Sequence, residues 1–118
     1  MSASDVRHEV CPVTATVAVV GGKWKIPILW HLAGGPRHFG ALRRAVVGVS
    51  EKMLSQQLRA LEADGLVSRT AHTRADGGVP RRVDYTLTPK GDALVPALGA
   101  LAAWGGEHLD GPWRTPGA

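Results

Sequence analysis

Lys52, Ser55, Gln56 and Arg59 fall at helical spacing within GVSEKMLSQQLRALEADGLVSR, residues 48–69. At about 100° per residue they share an arc of about 100°, opposite Leu54, Leu58 and Leu61, which lie within about 60° of one another. Their chemistry suits the edges and backbone of a nucleic acid. Gln pairs best with adenine, Ser with several bases, and Arg with guanine or a phosphate; Lys suits a phosphate. A merely hydrated helix face has the same pattern, so the helix alone leaves both readings open. Arg43 and Arg44 precede it, where phosphate contact and plain solubility are equally good accounts. Arg74, Arg81 and Arg82 follow in a turn-rich hairpin, and arginine suits a narrow, strongly negative minor groove. Asp76 at the tip argues against the tip itself touching phosphate.

Cys11 precedes Pro12, so it stands at a helix N-terminus, where the dipole stabilises a thiolate; Arg7 and His8 are close in sequence. The alternative is a structural cysteine at an interface. It is the single cysteine of the chain, which excludes an intrachain disulfide framework. Trp24, Trp30 and Trp104, with Tyr85, read as core and interface packing, or else as the lining of an apolar cleft for a small effector. The five histidines (8, 31, 38, 72 and 108) show no metal-ligand spacing. GGKW lacks the frame of a phosphate-cradling loop, and no Ser-His-Asp set or carboxylate pair suggests hydrolysis. The expectation is a protein that is not an enzyme and needs no metal or cofactor.

The elements that position these residues follow from the pattern. Pro12 opens a short apolar helix ending at Gly21-Gly22. KWKIPILWHLA offers Ile26, Leu29, Trp30, Leu32 and Ala33 for burial, and Gly34-Gly35-Pro36 stops it. A third helix, 39–47, buries Phe39, Leu42 and Val46. After the turn at Gly48-Val49, Ser50 caps the helix that carries Lys52, Ser55, Gln56 and Arg59. LVSRTAHT and RRVDYTL form a hairpin, with Val83, Tyr85 and Leu87 on one face and Arg82 and Asp84 on the other. Thr88-Pro89 caps a long helix to about Leu109 with a stripe of Leu94, Leu98, Leu101 and Trp104. The fold class is mainly α with a small β-hairpin (α+β), and the order is that of a winged helix-turn-helix.

The chain of 118 residues suits one domain. Residues 1–10 read as an N-terminal arm, 11–109 as the domain and 110–118 as a tail. Net charge is +4, yet the segment from Arg37 to Arg82 holds nine basic and four acidic residues, so the excess lies wholly there. That footprint favours a polyanion. No run of about 18 apolar residues is present, and the start MSASDVRHEVCPV has no secretion-signal character. No membrane partner and a cytoplasmic location are expected.

CPV at 11–13, GGKWKIPILWHL at 21–32, RHFGALRRAVVGVSEKMLSQQLRALEADGLVSR at 37–69, VPRRVDYTLTPKG at 79–91 and Trp104 together resemble the HxlR family of bacterial winged-helix transcriptional regulators. The resemblance spans roughly residues 10 to 105. It implies a homodimer, joined through N- and C-terminal helices, that binds double-stranded operator DNA and represses or, less often, activates transcription. Two-fold symmetry then implies an inverted-repeat operator. Some members sense oxidants through a cysteine at the position of Cys11. The departure is an inserted ADGG at 75–78, which lengthens the wing. A rival from another class is a winged-helix interaction module whose basic face meets an acidic protein without specific DNA binding.

Overall fold

Ser50 begins the element on which the rest is arranged. In a computed structural model describing residues 11–72, 77 and 82–112, its hydroxyl accepts from the Met53 backbone N–H at 3.0 Å, capping a helix over Glu51–Ala63. In chain order the elements are α1 (Pro12–Val20), α2 (Lys25–Leu32), β1 (Arg37–His38), α3 (Phe39–Ala45), α4 (Glu51–Ala63), β2 (Val67–His72), β3 (Arg82–Leu87) and α5 (Pro89–His108). The strands form one antiparallel sheet in the order β1-β3-β2, with Val67 opposite Leu87 and Arg37 opposite Tyr85. This is an α+β winged helix-turn-helix.

One apolar core holds α4 in place. Leu54, Leu58 and Leu61 of α4 are buried with Ile28, Leu29 and Leu32 of α2, Leu42 of α3 and Leu98 of α5. Leu66, Val67, Tyr85 and Leu87 close the core from the sheet. Burial of each large side chain here is worth about 1.5–3 kcal/mol.

The turn between α3 and α4 rests on Gly48 at φ +89°, a conformation β-carbon sterics discourage in other residues. His38 caps α3: its Nδ1 accepts from the Ala41 N–H at 3.1 Å.

Several expectations are corrected by the packing. Trp30 is 45% exposed and Ala33 is also exposed, because the buried face of α2 runs through Ile28, Leu29 and Leu32. Helix α3 stops at Ala45, with Val46 buried as its C-cap. The stripe on α5 divides: Leu98 is buried and Leu94 half-buried, but Leu101 and Trp104 are 61% and 56% exposed, out past the core of this single chain. The short strand β1 was missed, since two residues carry no period to read.

The start of α5 is fastened to the end of α4. Thr88 caps α5 by accepting from the Gly91 N–H, and its hydroxyl donates to the Gly65 carbonyl. The Thr88 N–H donates to Leu66 O at 3.0 Å, and Lys90 Nζ donates to Asp64 O at 2.8 Å.

Candidate nucleic-acid interface

On α4 the apolar side is fixed and the polar side is free. Lys52, Gln56 and Arg59 are exposed and Ser55 half-exposed, and the four line one shallow depression together with Glu51. The sequence pattern thus becomes a surface, since the turn after Val46 directs this face of α4 away from the core. Among the described residues Lys52 and Arg59 make no ion pair, so their donors remain available. Glu51 is the member that sequence reasoning missed; its acidity hid it from a search for basic and amide groups.

Arg43 and Arg44 leave the last turn of α3 exposed. Arg43 Nη1 meets Glu51 Oε1 at 3.1 Å, bridging the two helices of the helix-turn-helix. Arg44 makes no ion pair among the described residues; its guanidinium lies near Gly40, one turn earlier.

On the wing, Arg82 is bound to its own strand. Its Nε lies 3.1 Å from Asp84 Oδ1, and His72 Nε2 lies 2.8 Å from Asp84 Oδ2. Asp84 is 17% exposed, so this cluster forms a half-sheltered node toward the loop end of the paired strands. Arg74 and Arg81, with the inserted 75–78, lie outside the described residues except for Gly77.

Cys11 is exposed at the N-cap of α1. The backbone N–H of Thr14, then that of Val13, hold its thiol below its ordinary pKa, assisted by the Thr14 hydroxyl. These N–H groups belong to the open first turn of α1, where a thiolate is favoured.

Trp24, Trp30 and Trp104 each have different surroundings. Trp30 lines an apolar groove between α2 and α5 with Ile26, Pro27, His31, Leu98, Leu101 and Ala102. Trp24 packs against the core, with Lys23 Nζ 4.8 Å above its ring. Trp104 lies against His108, ring centroids 5.1 Å apart. No described helix is long and apolar enough to cross a membrane.

A buried-backed helix with a hydrogen-bonding outer face, aimed by a tight turn and flanked by a hairpin, defines the class of winged-helix DNA-binding proteins. Residues 19–112 match the family model HxlR, described as HxlR-like helix-turn-helix. The uncharacterized HTH-type transcriptional regulator YtcD of Bacillus subtilis is 43% identical over 98 residues, covering 83% of this chain and 75% of YtcD. The redox regulator HypR, in its oxidized form, superposes with a TM-score of 0.74 at 38% identity, covering 86% of this chain and all (100%) of HypR. The reduced form of the transcriptional regulator YodB from B. subtilis gives a TM-score of 0.70 at 29% identity, covering 83% of this chain and 93% of YodB. The chain belongs to the HxlR family and is a DNA-binding transcriptional regulator.

Proposed function

We propose that the protein is a homodimeric repressor that sets two copies of α4 into the major grooves of an inverted-repeat operator. The observation that carries this reading is the division of α4: three leucines locked in the core, and Lys52, Ser55, Gln56 and Arg59 lining one open depression. Ser55 and Gln56 take base edges, Arg59 takes a guanine or a phosphate, and Lys52 and Arg44 take phosphates. Arg43 is a further phosphate ligand once released from Glu51. Arg74 and Arg81 are wing contacts, ahead of Arg82, which Asp84 already holds. The cytoplasm, where the DNA lies, is the place of action.

Support for the dimer comes from the ends of the chain. Val13 and Val17 on α1, and Leu101, Trp104 and Leu109 on and just after α5, stand 46–68% exposed. A monomer gains nothing from apolar side chains so placed, whereas a partner covering them gains their burial. Two-fold symmetry then puts half-sites one helical turn, about 34 Å, or a multiple of it apart.

Selection of bound fragments from genomic DNA tests the proposal. Recovery of one inverted repeat is the expected result. Binding without sequence preference at physiological salt, coupled to capture of an acidic protein, would favour the interaction module instead.

Regulation by oxidation of Cys11 has its own support. The thiol is exposed, and its pKa is lowered by the first turn of α1. The similar proteins HypR and YodB were each solved in a reduced state and in an oxidized or diamide-treated one. With one cysteine in the chain, a disulfide joins Cys11 to the partner copy's Cys11 or to a small thiol. The groove at Trp30 is the place for a small apolar effector; neither a metal nor a cofactor enters the proposal.

A further inference from the structure

The pairing of cations on the DNA-facing side is uneven. Lys52, Arg44 and Arg59 make no ion pair among the described residues, while Arg43 is held by Glu51 and Arg82 by Asp84. Glu51 is unusual in a second way: it lines the same depression as Lys52, Ser55, Gln56 and Arg59, so a carboxylate sits on a surface that meets a polyanion. Compensation of the helix dipole accounts for an acid in the first turn of α4. It does not account for that acid's bridge to α3.

We propose that Glu51 is an affinity-limiting residue of the DNA-binding face: by holding Arg43 it keeps one cation off the phosphates and weakens binding to DNA of any sequence. The inference rests on the DNA-binding reading above. Non-specific binding consists almost entirely of phosphate neutralisation, so each cation withheld weakens it directly. Bound to its preferred sequence, α4 is held by base contacts from Ser55, Gln56 and Arg59 as well, and the withheld contact costs that complex the same free energy. Specificity, the difference between those two affinities, is left as it was. Arg43 can reach a phosphate only by leaving the Glu51 carboxylate unpaired beside the DNA, where like charges repel.

The test compares wild type, Glu51→Gln, Arg43→Ala and the double variant on mixed-sequence duplex DNA across a salt series. It is joined to enrichment of sites from a random duplex library. Glu51 is exposed, so the neutral isostere leaves the fold intact. Glu51→Gln should tighten mixed-sequence binding about two- to fivefold, the range set by an exposed ion pair. The salt slope should steepen by about 0.9, one added phosphate contact, and enrichment of the preferred site should stay as it was, because both complexes gain alike. In the Arg43→Ala background the same change should leave the slope unaltered. An equal gain in that background would overturn the proposal, since Glu51 would then act by its own charge. Loss of preferred-site binding without any mixed-sequence gain would overturn it too, marking Glu51 as a base contact. A wild type with sequence preference and an unaffected Glu51→Gln variant sinks this inference alone; a wild type with no preference sinks the operator reading as well.

Discussion

Gly91, in the first turn of α5, lies so close to the Leu66 carbonyl that a β-carbon at that position would overlap it. The contact brings the N-terminus of α5 onto the connection between α4 and β2. There Thr88 and Lys90 hold the carbonyls of Gly65 and Asp64. The obstacle is backbone, which cannot rotate aside. Gly91→Ala should therefore lower stability by about 1–3 kcal/mol, the cost of overpacking. Denaturant unfolding reads this as a lower midpoint with an unchanged slope.

Arg59 has its guanidinium on the open face of α4 and no ion-pair partner among the described residues. Arg59→Ala should weaken binding to the selected operator by about 1–3 kcal/mol and relax preference at one base pair in each half-site. Competition titration with single-base operator variants measures both effects. Uniform weakening on every variant would assign Arg59 to a phosphate.

Leu101 and Trp104 are exposed on α5 beyond the end of the core. Leu101→Glu should shift the protein toward monomer in sedimentation velocity and weaken operator binding with it. Its thermal unfolding at low protein concentration should change little, as an exposed site costs the isolated fold within about 0.5 kcal/mol.

Cys11 should react as a thiolate at lower pH than an ordinary cysteine. Its folded pKa is depressed by the Thr14 and Val13 N–H groups, so the charged form is favoured in the folded state. That preference is present above the unfolded pKa and fades as pH falls through the folded one. The rate of alkylation against pH should have its midpoint below that of the same chain unfolded in denaturant. Coincident midpoints would show that α1 exerts no pull on the sulfur.

The sequence displayed the elements well and their mutual fastening poorly. The α4 face was legible because Leu54, Leu58 and Leu61 recur with the helical period, and Ser50 and Thr88 announced themselves as caps. Trp30 was misplaced for a physical reason. In KIPILWHL nearly every position is apolar, so periodicity could not say which face turns inward. The pair of Arg43 and Glu51 was invisible, because it depends on how the turn between α3 and α4 folds, not on spacing along one helix. The same holds for His72, which meets Asp84 only once the hairpin register is set, whereas Arg82 and Asp84 share a face of β3 by their spacing alone.

Strand β3 is hydrogen-bonded on both flanks, by β2 on one side and by the two residues of β1 on the other. Arg37 adds a tether from β1 to the end of α2, its Nε donating to the His31 carbonyl at 2.9 Å. The register of β3 is thus set from below, independently of the loop that crosses from one strand to the next. Loop length becomes a free parameter for protein engineering. Residues could be added or trimmed at the crossing, or a reporter peptide spliced in, without reorienting α4.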